Sequence, residues 1–232
     1  MRRIAMSFAI AALAGAAQAQ DLPAPVDAAL DEAEALAETR VSYTMTFEWE
    51  NEPPVVARYD APADDWTIVE GDPEALSGAG PKKFRTWSRV ESEPGGLLYA
   101  DYRPHLRNVT RLEETDATTV YEFTSPQTPD DLDEVREKLE TRLVVDNEDG
   151  RLATYAIRAL EPFKPNVASK LSEFEFVQNF ERPAPGAPAL MTYVKWRAKG
   201  RRVFSDVDES YVVRFDDFEF MDGAATDEEE AR

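Results

Sequence analysis

The stretch Val41-Ser42-Tyr43-Thr44-Met45-Thr46-Phe47-Glu48-Trp49-Glu50 decides the fold class of this chain of 232 residues. Apolar side chains occupy every second position from Val41 to Trp49, and serine, threonine and glutamate fill the positions between them. Successive side chains of a strand point to opposite faces of its sheet. The alternation therefore predicts a long antiparallel strand with one apolar and one wet face, ended by Pro53-Pro54.

Shorter runs of similar composition follow, and turn residues such as Gly71-Asp72-Pro73 and Gly95-Gly96 separate them. This rhythm predicts a meander of hairpins: a mainly β fold with some helix (α+β), in a single domain over residues 20–221. The further predicted strands are 55–59, 66–69, 84–90, 97–102, 117–123, 141–145, 152–160, 174–180, 190–196, 203–207 and 211–215, with Phe218 and Phe220 continuing the last alternation.

Two segments follow the helical period instead, and each is predicted to be a helix that covers an apolar surface. Residues 25–39 place a proline in the first helical turn and Asp27 near the positive end of the helix dipole. Residues 129–140 follow Thr128 with Pro129 in the first turn, which resembles a capping box. The apolar residues that recur at helical spacing are Val26, Ala29, Leu30, Ala33, Leu36 and Ala37 in the first segment, and Leu132, Val135 and Leu139 in the second.

The first 19 residues are predicted to be a signal peptide. Arg2 and Arg3 form a positive start, 4–17 is an apolar run, and Ala17-Gln18-Ala19 is a small-x-small cleavage pattern, so the mature chain begins near Gln20. The apolar run is shorter than the 20 or so residues of a spanning helix, so an uncleaved membrane anchor is the less favoured alternative. We therefore expect a periplasmic protein with no transmembrane anchor after cleavage.

The chain has no cysteine, which excludes disulfides and an N-terminal lipid anchor on the mature protein. Removing Arg2 and Arg3 from the net charge of −20 leaves −22. Such a surface repels nucleic acid, so no nucleic-acid partner is expected. The last segment, 222–232, has almost no apolar content and ends in acidic residues, which predicts a disordered tail.

No motif indicates an active site, a metal or another cofactor. His105 is the only histidine, so a zinc site lacks ligands, and a loop position after a proline favours simple exposure over catalysis. Asp146–Gly150 resembles a calcium loop, but Val145 and Ala156 fall where the first and last ligands belong, so a hairpin turn is predicted. The glycines and lysines of 78–83 lack phosphate-loop spacing and predict a flexible connection.

The aromatic strands offer the best candidate for a binding site. An ordinary core is one interpretation of their apolar face. The other is a sheet of about eleven strands that two helices of roughly 20 Å cover only in part, which leaves a cavity for an acyl chain or a peptide. The candidate cavity residues are Tyr43, Met45, Phe47, Trp49, Leu190, Val194, Trp196, Tyr211, Val213 and Phe215.

The order of a signal, an amphipathic helix, a long first strand, a meander and a mid-chain helix resembles the LolA/LolB-like lipoprotein carriers. The stretches 150–157 and 162–165 also look like exported proteins of alphaproteobacteria. The resemblance implies a single large curved antiparallel sheet, or incomplete barrel, whose two helices pack on its concave face around a hydrophobic cavity. It also implies a non-enzymatic periplasmic carrier of a lipid, an acyl chain or a lipoprotein.

Two other functions stay open. One is an envelope structural or protein-interaction protein with a solid core and no small-molecule site. The other is a hydrolase that uses two of the 46 acidic side chains, although no pair stands out in the sequence.

Overall fold

The computed structural model describes residues 22–90, 95–124, 135, 137–166, 169–202 and 205–221. Its strands form one antiparallel sheet in the order β3-β2-β1-β11-β10-β9-β7-β6-β5-β4, and β8 pairs with β9 beside this path. The strands are β1 (Val41–Trp49), β2 (Val55–Asp60), β3 (Asp65–Glu70), β4 (Arg107–Glu114), β5 (Thr118–Thr124), β6 (Leu139–Asp146), β7 (Leu152–Ala159), β8 (Phe163–Asn166), β9 (Ser169–Glu181), β10 (Leu190–Arg202) and β11 (Ser205–Phe220). The predicted fold class, a mainly β protein with one large antiparallel sheet, is confirmed.

Strand β1 lies between β2 and β11, in the interior of the sheet. Its alternation works as predicted, because Val41, Tyr43, Met45, Phe47 and Trp49 are all buried on one face. We call this side of the sheet the inner face and the other side the outer face. The two strands predicted at 203–207 and 211–215 are corrected to a single strand, β11. The predicted continuation of one alternation through Phe218 and Phe220 is wrong, because a bulge near Asp217, which has a positive φ, shifts the register by one residue.

Helix α1 (Ala24–Ala35) confirms the predicted N-terminal helix, although it ends four residues early. It buries Val26, Ala29, Leu30 and Ala33, and it borders Leu143, Val145 and Leu152 of β6 and β7. Most of the second predicted helix, 129–140, lies outside the described residues. Val135 is helical and buried, and β6 already begins at Leu139.

Two predicted strands are wrong. Residues 80–90 form helix α2 (Gly80–Val90), so the connection predicted at 78–83 also contains the start of a helix. The spacing of three between Phe84 and Trp87 puts both on one helical side, and Pro81 suits the first turn. Residues 97–102, the second of these, form no strand: a turn at 97–99 is followed by a 3-10 helix at Ala100–His105. Strand β4 was not predicted, because it is a mostly exposed edge strand without apolar alternation.

Charge pairs across the strands fill the outer face of the central sheet. Lys195 of β10 lies 2.5 Å from Glu175 of β9. Arg197, two residues further along β10, contacts Glu173 of β9 at 3.1 Å and Asp208 of β11 at 2.6 Å. Opposite charges on neighbouring strands favour one register over a shifted one, so we call this array the charge ladder.

No helix in the described part of the chain is long and apolar enough to cross a membrane. The predicted signal peptide at 1–19 and the predicted tail at 222–232 both lie outside the described residues. The predicted domain limits at residues 20 and 221 stay predictions.

Candidate functional site

A row of aromatic side chains crosses the inner face of four neighbouring strands. Trp49 of β1 is in register with Tyr211 of β11, and Tyr211 is in register with Trp196 of β10. Trp196 in turn opposes Phe176 of β9. The ring centroids of successive members are 5.9, 6.2 and 5.9 Å apart. We call these four residues the aromatic row; cross-strand contacts between large rings stabilise a sheet and build a wide apolar surface.

Nine of the ten sequence-predicted cavity residues lie on the inner face of three adjacent strands, β1, β11 and β10. Leu190 begins β10 beyond a bulge, opposite Glu181, and lines a small space with Tyr43. All ten are buried except Trp196, which is partly buried. They lie at successive levels along the strands. Trp49, Tyr211 and Trp196 belong to the aromatic row, Phe47, Val213 and Val194 form the next line in register, and Met45 and Phe215 form the line beyond it. Whether these residues bind a ligand stays a prediction.

Helix α2 covers the aromatic row. The Phe84 ring packs edge-on against Phe47 with centroids 5.8 Å apart, and the Trp87 ring lies 6.4 Å from Tyr211. The helix begins very close to the sheet: a side chain at Gly80 would come within 3.3 Å of the Trp49 ring and 2.6 Å of Leu76. Sequence reasoning missed these contacts, although the Phe84–Trp87 spacing carried the signal.

Lys83 brings a positive charge onto this apolar surface. Its Nζ atom lies 5.0 Å from the centre of the Trp196 ring and 5.6 Å from that of Tyr211, which is cation–π geometry. The same nitrogen lies 3.3 Å from a carboxylate oxygen of Glu209. The ammonium therefore has two aromatic faces and one anion as partners.

The site also contains polar groups that are removed from water. Burial raises the pKa of the Tyr211 hydroxyl and Glu209 adds to the rise, while a hydrogen bond with Trp87 opposes it. The indole nitrogens of Trp49 and Trp196 are buried and have no hydrogen-bond partner among the described residues. A buried donor without a partner costs about 1–3 kcal/mol, so two of them at one surface need an explanation.

The core of the described residues is closely packed in this state. Its best-formed cavity, about 20 Å³, lies between β1, β2 and the 95–98 turn and is lined by Tyr43, Tyr59 and Leu190, among others. That volume suits a single water molecule. A second, smaller space lies under α1 beside Leu30 and Leu152. Neither has room for an acyl chain.

The other candidates from the sequence, His105 and the Asp146–Gly150 turn, have surroundings that indicate a structural role. His105, expected to be exposed, is partly buried at the end of its 3-10 helix. Burial lowers its pKa; Asp101 opposes this effect and Arg107 adds to it. Asp146–Gly150 is the predicted turn between β6 and β7, and Asp146 and Asp149 bind Arg151 there.

The described residues contain no group of three or more histidine, aspartate or glutamate side chains arranged to hold a metal ion. Asp216 has a pKa raised by burial and by its neighbour Asp217, with Arg58 opposing the rise. Both carboxylates lie on exposed strand surface and not in a cleft. Paired acids of a hydrolase lie in a cleft around the scissile bond, so this pair does not have the expected setting.

Comparison of the chain with protein-family models, with curated proteins and with solved structures finds no match.

Proposed function

We propose that this protein binds a lipid-type or other hydrophobic ligand in the periplasm, without catalysing a reaction, and that the described conformation is its closed state. The observation that carries the proposal is the cover of the aromatic row. A broad apolar face on the central strands is closed by one short helix that is poorly suited to a permanent core. This function is also the one implied by the resemblance to LolA/LolB-like carriers.

The composition of α2 supports a removable cover. It contains four cations, Lys82, Lys83, Arg85 and Arg89, and no acidic residue. Among the residues of α2 whose burial is described, Gly80 and Phe84 are buried, so Phe84 is its one large buried side chain. A permanently buried helix normally presents a wider apolar stripe. The helix is therefore held by few apolar contacts, and the free energy needed to move it away is modest compared with unfolding the sheet.

The two indole N–H groups support a ligand that carries an acceptor. Once α2 moves, Trp49 and Trp196 can donate to a carboxylate or ester oxygen, and their rings offer apolar contact. The proposed ligand class is thus an apolar chain with an oxygen-bearing head, such as a fatty acid or a phospholipid.

The first test is binding of a fluorescent fatty acid to the purified chain, with mass spectrometry of co-purified lipid. Trp196→Glu should abolish probe binding while circular dichroism stays unchanged, because Trp196 is only partly buried. Trp66→Glu is the matched control: Trp66 is also partly buried, on β3 beside Tyr43 and Tyr59, away from the aromatic row. A wild-type protein that binds no probe and carries no lipid overturns the proposal.

The second test addresses the cover itself. Phe84→Asn removes the main apolar anchor of α2 and should speed the binding of the probe. Thr86→Asn changes an exposed position of the same helix and should leave the rate unchanged. Equal rates for both variants would show that α2 does not limit access.

The close packing favours a second candidate, an envelope interaction protein with a solid core. The best-formed cavity among the described residues has room for only one water molecule, which fits such a protein. Hydrogen exchange separates the two functions. A removable cover exchanges its α2 amides through local opening, whereas a solid core exchanges them only with the amides of β1 and β11.

A further inference from the structure

Four cations lie at one end of the sheet and, unlike the cations of the charge ladder, form no ion pair in the described structure. Lys164 of β8, Lys170 of β9, and Arg201 and Arg202 of β10 are all exposed. None of them has a carboxylate within 4.0 Å among the residues that the structure describes. We call these four residues the cationic tip. Residues 167–168 and 203–204, which connect these strands, lie outside the described residues, and the tip is defined without them.

The strand register sets like charges against each other at this tip. Lys170 of β9 is directly opposite Arg201 of β10. Further along the same pair of strands, Lys199 opposes Glu173 and Arg197 opposes Glu175. Like charges directly opposite on neighbouring strands destabilise a sheet. Strands β9 and β10 thus pair opposite charges along their length and like charges only at this end. The two positive charges stand out because the net charge of the chain is −20.

The tip presents positive charge on both faces of the sheet. Side chains alternate along a strand, so Arg201 shares the outer face with Lys170, whereas Arg202 points to the inner face. Asp206 of β11 is in register with Arg201, but the two form no ion pair in the described structure. Charge on both faces favours contact with a partner through the end of the strands rather than through one side.

Aromatic side chains outside the aromatic row lie close to the tip. Phe163 of β8 adjoins Lys164, and its ring contacts the partly buried Phe174 of β9, four residues from Lys170, with centroids 6.2 Å apart. Aromatic rings next to lysine and arginine are typical of surfaces that meet the interface of a bilayer.

We propose that the cationic tip docks this protein, end on, to the surface of a bilayer that contains anionic phospholipid. The aromatic residues behind the tip favour a bilayer over an acidic polypeptide, which would need only the charges. The many acidic residues elsewhere do not prevent docking, because charges further away than a Debye length of about 10 Å at 0.1 M salt are largely screened. The inference does not rest on ligand binding, so docking and lipid uptake can fail separately.

The test is co-sedimentation of the full chain with vesicles of phosphatidylcholine alone and of phosphatidylcholine with phosphatidylglycerol, at about 0.1 M salt, where the distant acidic residues are screened. The wild type should bind only the anionic vesicles, and added salt should release it. Each basic residue near an anionic surface contributes about 1 kcal/mol, so Lys170→Ser/Arg201→Ser should weaken binding roughly thirtyfold. The matched control, Arg111→Ser/Arg214→Ser, also removes two exposed cations, on β4 and in the middle of β11, and should bind like the wild type.

A single substitution separates docking from stability. Lys170→Glu places an acid opposite Arg201, so it should raise the denaturation midpoint while it lowers binding to anionic vesicles. No binding by the wild type, an equal loss in the Arg111/Arg214 control, or binding to polyglutamate in place of vesicles would each overturn the proposal.

Discussion

Helices α1 and α2 cover the same inner face of the sheet by different means. Helix α1 buries four apolar residues, Val26, Ala29, Leu30 and Ala33. Helix α2 covers the aromatic row with Phe84, Trp87 and a lysine. We expect from this difference that α1 is held more firmly on the sheet than α2, although Phe84 of α2 also belongs to the core.

The ion pairs also attach α1 more extensively than α2. Arg103 binds three carboxylates along one side of α1, those of Asp27, Asp31 and Glu34. Their spacing of four and three residues aligns them on the helix. Arg182 joins Glu32 at 2.6 Å to Asp149 of the β6–β7 turn at 3.0 Å. Helix α2 has Lys83–Glu209 and Arg85–Glu74, and the second pair links it only to a short exposed 3-10 turn.

The largest expected effect comes from Leu30→Ala. Leu30 is 1% exposed, and leucine-to-alanine changes in a core destabilise by about 2–5 kcal/mol. Phe84→Ala removes a larger side chain but should cost less than Leu30→Ala, because α2 can detach while the sheet stays folded. Urea unfolding, followed by circular dichroism, measures both. A larger loss for Phe84→Ala would remove the distinction between the two helices.

Arg182→Met tests the attachment of α1. It leaves Glu32 and Asp149 without their shared partner, and hydrogen bonds to charged groups contribute about 1.5–3 kcal/mol. We expect a loss of stability in that range, with the midpoint of urea unfolding as the measurement. Arg85→Met is the control on α2; its pair is exposed, and such pairs contribute at most about 1 kcal/mol. Similar losses for the two variants would contradict the comparison.

The pH dependence should follow Asp149. Burial favours its neutral form, but the backbone N–H and side chain of Arg151, together with Arg182, outweigh burial and lower its pKa. A lowered folded-state pKa gives stability that is present above the unfolded value, about 3.9, and is lost as the pH falls through the folded value. Asp149→Asn should therefore be less stable than the wild type at pH 7 and equal to it in strong acid, as measured by urea unfolding across this range.

Lys83→Met should have the smallest effect on stability. A partly exposed cation–π contact contributes about 0.5–1 kcal/mol, and the methionine keeps the apolar part of the side chain. The expected change is therefore below about 1 kcal/mol. Tryptophan fluorescence should shift, because Lys83 lies over the Trp196 ring. A loss comparable to that of Leu30→Ala would make α2 part of the core.

The sequence predicted those parts of the fold that short-range periodicity determines. The strict alternation of β1 assigned Tyr43 and Trp49 to one face, and nine of the ten candidate residues do lie on the inner face. The cover of that face could not be predicted in the same way. Residues 84–90 contain enough β-formers to suggest a strand, and only the spacing of Phe84 and Trp87 favoured a helix. The polar edge strand β4 had no apolar pattern, because it is largely exposed on both faces and buries no apolar side chain.

The pairing of β1 with β11 has a consequence for the order of folding. Thr44 donates a hydrogen bond to Asp217 across a separation of 173 residues. One edge of the first strand therefore stays unpaired until the last strand has been made and has folded against it. Contacts of such long range slow folding, since the closure of a large loop precedes any gain from the pairing. Until β11 arrives, β1 exposes an unpaired edge with five large apolar side chains to other chains. A truncated product that ends before Ser205 should therefore aggregate through β1, whatever the stability of its other strands.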